Sequence, residues 1–257
     1  MTLIRWTAIA AMTTAACTIS LGATAAETSR NWAGFYLGAL VGYGFGKAPT
    51  NIMPYGAAAG WVALPYYVSD LAPYPRGVTG GVEAGYNHQV GRAVLGVATD
   101  ISFGSMSRTE AGTGVPYIGG TLTTTVENKI DWYGSLRAKL GFLPADNLLF
   151  YLTGGLAFGH TEATMTGSNG TSCPKYVYCV SGSSSGIATG GVVGAGLEYA
   201  ISPQWSVKAE YLAMKLGSRS FNVAEQPFNG NPGGGYTVST DFKLQTVRAG
   251  LVYRFGN

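Results

Sequence analysis

The residues able to do chemistry in this 257-residue chain are few, and their spacing excludes most of the chemistry they could do. Gly182-Ser183-Ser184-Ser185-Gly186 fits the G-x-S-x-G spacing of a nucleophile elbow, which presents serine on a strand-to-helix turn near a histidine base. A polar loop stretch precedes the motif here and a strand pattern follows it, so the elbow has no helix. Val192-Val193-Gly194-Ala195-Gly196 has two glycines of a dinucleotide loop, but Tyr199 stands where the third belongs. The two histidines, His88 and His160, share the parity of apolar neighbours near the ends of alternating segments, away from any inward nucleophile. Cys173 and Cys179 flank Pro174-Lys175-Tyr176-Val177-Tyr178 in a polar stretch, with too few neighbouring ligands for a metal. An oxidising compartment would let them close a small loop disulfide. The expectation is no catalytic residue, no metal and no cofactor.

What remains is ten ionisable side chains on alternate positions of otherwise apolar segments. The acids are Glu83, Asp100, Asp131, Glu198 and Glu210; the bases are Arg137, Lys139, Lys208, Arg248 and Arg254. Placed on one face of a closed sheet, they would line a narrow lumen as a charge network, and buried charges must pair. Two readings stay open: a salt-bridged plug, or a thin aqueous pore with a charged constriction. Glycines of the same parity either leave room or accommodate Tyr36, Tyr133 and Tyr151 from neighbouring strands.

The elements that position these charges follow from a two-residue hydrophobic rhythm, because successive strand residues face opposite sides. In the last segment Val247, Ala249, Leu251, Tyr253 and Phe255 alternate with Arg248, Gly250, Val252 and Arg254. Eight such segments occur, at about 35–45, 78–87, 93–103, 130–142, 148–158, 187–201, 205–212 and 247–255. Connections alternate long and short, and 58–68, inside the first long one, is apolar enough for an additional hairpin that would make ten strands. Outward aromatics fall into two bands. Phe35, Tyr86, Phe142, Phe150, Tyr199, Trp205, Tyr253 and Phe255 lie near the short turns; Tyr43, Phe45, Phe103, Trp132 and Phe158 lie near the long loops. Alternation, loop asymmetry and aromatic girdles together predict an all-β, eight-stranded antiparallel up-and-down barrel crossing an outer membrane with long external loops.

The first 26 residues have the form of a secretory signal: Arg5, an apolar stretch, then Ala23-Thr24-Ala25 before the cut. Residues 27–257 would form the barrel domain. No later stretch has the roughly 18 apolar residues of a transmembrane helix. With 11% charged residues and a net charge of +3, the chain has no basic stripe for nucleic acid.

Several strands resemble a known family. Asn31-Trp32-Ala33-Gly34-Phe35-Tyr36-Leu37-Gly38 is similar to the opening of the small porin-like outer-membrane barrels of alphaproteobacteria. Asp131-Trp132-Tyr133-Gly134-Ser135-Leu136-Arg137 resembles the family's fourth strand. YLTGGLAFG from Tyr151, VGAGLEY from Val193, WSVKAEYL from Trp205 and VRAGLVYRF from Val247 resemble later ones. The resemblance implies a non-enzymatic surface antigen, structural or porin-like, in the outer membrane of a Gram-negative bacterium. Its partners would be outer-membrane lipid, lipopolysaccharide and the barrel assembly machinery. A surface binding role of adhesin or haem-binding type, through an extracellular ligand on the loops, is the alternative. Family barrels often end on Phe, whereas here Gly256-Asn257 follow Phe255.

Overall fold

A computed structural model of the chain describes residues 30–56, 70–114, 122–168, 179–224 and 234–255. The leader, the 58–68 segment and the Cys173–Cys179 pairing lie outside the described residues. Ten strands appear: β1 Gly34–Lys47, β2 Thr50–Tyr55, β3 Asp70–Leu71, β4 Arg76–Val90, β5 Ala93–Gly114, β6 Leu122–Ala145, β7 Leu148–Ser168, β8 Cys179–Ala200, β9 Trp205–Ala224 and β10 Gly235–Phe255. Eight of them form the wall. Each pairs antiparallel with its sequence neighbour, and β10 closes on β1 over 13 partners from Phe35↔Phe255 to Lys47↔Lys243.

The two short strands prolong the wall. β2 continues β1 beyond a break at Ala48-Pro49 and pairs with the upper half of β10, and β3 continues β4 beyond Ala72–Pro75. Proline removes a ladder donor, so a break is its natural place in a strand. Short turns of two to four residues close the other end: Gly91 adopts φ 60°, the left-handed region open to glycine at little cost.

Tracing directly opposed residues once around the wall gives the tilt. Lys47 faces Lys243, then Lys215, Gly191, Leu156, Leu136, Thr99, Ala84 and finally Leu37. The row returns to β1 ten residues lower, a shear of ten on eight strands, which tilts the strands by roughly 40°. On β6 the outward stretch between the girdle residues Trp132 and Phe142 has the length needed to cross a bilayer, about 9–11 residues.

The strands then run on above the upper girdle. β5 continues from Phe103 to Gly114, and β6 and β7 pair from Thr123↔Ser168 down to Ile130↔Thr161. Much of 105–127 and 217–239, read from sequence as loop, is therefore strand, and the rim stands roughly 25 Å above the girdle. The serine run at 183–185 also lies within β8, in extended sheet rather than on a turn. On one flank of the rim the backbone ladder stops short, although Arg219 on β9 still donates to Ser184 on β8. β8 and β9 pair from Ala200↔Ser206 only up to Gly191↔Lys215, and their upper halves pair with β7 and β10 instead.

Candidate functional site

The lumen at mid-membrane height holds a six-residue charge layer. Arg137 on β6 donates to Glu210 (2.8 Å), Glu83 (2.9 Å) and Asp100 (3.0 Å). Arg248 on β10 donates to Asp100 (2.8 Å) and through Nε to Glu210 (2.7 Å). Lys208 Nζ lies 2.6 Å from Glu83. All six are buried, and three acids meet three bases. The second lone pairs are also used: Ser135 donates to Asp100 and Tyr151 Oη donates to Glu210 (2.9 Å). Such charge-assisted contacts, each base shared among several carboxylates, are the arrangement in which buried ions are tolerated.

A second group lies nearer the turns. Glu198 accepts from Arg254 (2.9 Å) and from Ser206, and Lys139 Nζ is 4.0 Å away. This group carries one more base than acid. Its excess charge rests on ring faces: Lys139 stands 4.6 Å from the Tyr36 centroid and 4.5 Å from that of Tyr151, and the Arg254 guanidinium lies 4.4 Å from Trp32.

Apolar layers close the lumen above and below. Trp32, Val94, Leu143, Leu149, Tyr151 and Ala200 pack across the turn end. Trp32 is fully buried there, its indole donating to Asp146 O at 3.0 Å. Above the charges Met106, Tyr133, Leu212, Leu216, Phe242 and Leu244 form one core, and Ile52, Val126, Met165, Val223 and Tyr236 a higher one. The inward glycines serve as seats for rings. A Cβ on Gly85 would sit 2.4 Å from Tyr36 Oη, and one on Gly196 the same distance from Tyr151 Oη. The sequence left Trp32 out of the site, although it shares the even parity of Tyr36 and Leu40.

Asp131 is a correction. A bulge between Ile130 and Trp132 reverses the parity there, so Ile130 is buried and Asp131 faces outward, one-third exposed. It pairs with Lys129 (2.7 Å) and His160 Nδ1 (3.2 Å), and the lumen bases outnumber the acids by one instead of balancing them. The Lys129 hydrogen bond, supported by His160, holds the Asp131 carboxyl below the usual carboxylate range. Above this triad the outer wall has a shallow pocket of about 240 Å³ lined by Ser107, Glu127, Lys129, Glu162 and Thr164.

The girdle residues all face outward. Phe35, Tyr86, Phe142, Phe150, Tyr199, Trp205, Tyr253 and Phe255 ring the turn end, and Tyr43, Phe45, Phe103, Trp132 and Phe158 the rim end. Edge-to-face contacts link them across strands: Phe35–Tyr86 at 4.9 Å, Trp205–Tyr253 at 5.0 Å and Trp132–Phe158 at 6.3 Å. Between the bands the outer face is aliphatic, with Leu95, Leu136, Leu156, Val193 and Leu251 at least 45% exposed. A surface of that kind is covered by lipid.

A closed antiparallel wall, an oily outer band and a charged, filled lumen define an integral outer-membrane β-barrel. The chain belongs to the outer membrane protein beta-barrel domain family, whose pattern matches residues 13–255. It is 31% identical to the 31 kDa outer-membrane immunogenic protein of Brucella melitensis over 88% of this chain and 84% of the relative. The 22 kDa outer membrane protein of Rhizobium leguminosarum is 27% identical over 77% of this chain and 71% of that protein. Among solved structures, the outer membrane protein OprG from Pseudomonas aeruginosa aligns over 88% of this chain and 97% of its own, with 11% identity and TM-score 0.48. The chain is an outer-membrane protein of the Gram-negative cell envelope.

Proposed function

We propose that this barrel is a closed, non-enzymatic scaffold that carries a tall rim above the outer leaflet and passes no solute. The observation that carries the reading is the stacking in the lumen. Trp32 and Leu149 lie below the charges, six ions are locked to one another, and Met106, Tyr133, Leu212 and Leu244 lie above them. A conducting path needs ions held loosely enough to exchange with water. Here each central carboxylate is shared by at least two bases. The serine run gives no support to a hydrolase, since Ser184 accepts from Arg219 at 3.4 Å within extended strand. Planar-bilayer recording after refolding tests the proposal: a flat current trace is expected, and reproducible unitary steps would overturn it.

A second reading is binding at the rim. The outer pocket beside Glu127 and Glu162 and the exposed Tyr55 favour it, because these polar and aromatic groups stand above the girdle. Loss of whole-cell ligand capture on deleting 49–75 would support it, and undiminished capture would count against it.

A further inference from the structure

We propose that the outward face of β9, β10, β1 and β4 binds the phosphates of a multiply phosphorylated lipid headgroup in the outer leaflet. Lys47 lies directly opposite Lys243, and Lys243 directly opposite Lys215. On the next strand Arg76 stands opposite Phe45, two residues before Lys47. All four side chains are exposed. Three lysines in one cross-strand row are a costly choice for a sheet, since like charges directly opposite repel. No carboxylate among the described residues forms an ion pair with any of the four. The nearest along β10 is Asp241, the next outward position; Lys47 instead stands 5.5 Å from the centroid of the Tyr74 ring.

Their height identifies the occupant. The row descends ten residues over eight strands, so each step from β1 toward β9 drops by little more than one residue. Lys215 is therefore level with Tyr43, Phe45 and Trp132, and Lys47 stands about two residues higher, roughly 6 Å. That is the headgroup layer, where an ammonium meets phosphate and water rather than acyl chain. Strand spacing of about 4.8 Å spreads the four cations over roughly 15 Å, enough to engage more than one phosphate on a single headgroup. The opposite sector has the reverse design. At the same height on β6 and β7, Lys129 and His160 are already held by Asp131. One flank is neutralised by the protein's own carboxylate, while the other leaves its cations for an external anion.

The test uses the full mature chain refolded into phosphocholine vesicles doped with a bisphosphorylated glycolipid. Native mass spectrometry reads the lipid retained by the wild type and by the K47Q/R76Q/K215Q/K243Q variant. Heat-modifiable gel migration first checks that each barrel is folded, which separates a failed barrel from a failed site. Retention about a hundredfold weaker in the variant is expected, since each cation near an anionic surface contributes about fivefold and screening removes part of it. If the quadruple variant does not fold, K243Q alone serves, because Lys243 is the central member of the row. K129Q is expected to retain lipid like the wild type, and inorganic phosphate is expected not to displace it. Equal retention by wild type and row variants, an equal loss in K129Q, or displacement by inorganic phosphate would overturn the proposal.

Discussion

Replacing Arg137 by Met tests the charge layer directly. The wild-type residue contacts Glu83, Asp100 and Glu210, and its side chain is almost fully buried. Its loss leaves three carboxylates facing Lys208 and Arg248, one uncompensated negative charge in a site closed to water. Breaking one partner out of such a cluster costs about 3–5 kcal/mol. At about 2 kcal/mol per molar urea this moves the unfolding midpoint down by about 2 M. Tryptophan emission of the barrel in lipid vesicles, followed through urea titration in both directions, measures it. The informative control is Arg137→Met combined with Asp100→Asn. The remaining groups then resolve into Glu83–Lys208 at 2.6 Å and Glu210–Arg248 at 2.6 Å. The double variant should recover most of the loss, because charge balance rather than packing is what the single change removes. A single variant within about 1 kcal/mol of wild type, or a double variant no more stable than the single, would refute the reasoning.

Gly196→Ala should destabilise by about 1–3 kcal/mol through collision with the Tyr151 ring, and Tyr151→Leu should relieve part of that cost in the double variant. Trp32→Ala should cost about 3–5 kcal/mol and raise proteolysis at the turn end, read by limited digestion of the refolded barrel. Asp131→Asn should cost no more than about 1 kcal/mol, as an exposed pair does. Because the Asp131 carboxyl is depressed in the folded protein, its contribution is present above the ordinary carboxylate range and disappears as pH falls through the folded value. Paired urea titrations from neutral pH downward should therefore converge in acid; a difference that grows in acid would contradict the assignment.

The barrel was legible where lipid imposes contrast. Between Leu136 and Phe142, and again between Val247 and Phe255, the outward positions are apolar without a slip, and the lumen parity of nine ionisable residues follows. Above the girdle that contrast fades, because the outer face meets water and the inner face mixes Thr124, Asn128 and Thr161 with apolar residues such as Val126 and Met165. The Thr123–Val126 and Thr161–Thr164 stretches carry threonine on both faces, so no rhythm announces strand. Asp131 was misplaced for a related reason: its bulge is one unpaired residue, and nothing in Lys129-Ile130-Asp131-Trp132 marks it. Which glycine seats which ring depends on shear, a property of closure around eight strands that no single strand encodes. The lysine row was hidden likewise, since Lys47, Lys215 and Lys243 become neighbours only when β1 meets β10 and β10 meets β9.

Glu83 and Asp100 are direct cross-strand partners in the β4–β5 hairpin, two carboxylates side by side. That hairpin cannot quiet its own repulsion. Relief comes from Arg137 on β6, Lys208 on β9 and Arg248 on β10. An insertion intermediate lacking β10 thus sets two bases, Arg137 and Lys208, against three carboxylates, a deficit that docking of β10 in register removes. Slippage of β10 by one position would turn Arg248 toward acyl chains and leave the deficit in place. The buried ions thereby act as a checksum on closure, rejecting barrels whose ends have met in the wrong alignment.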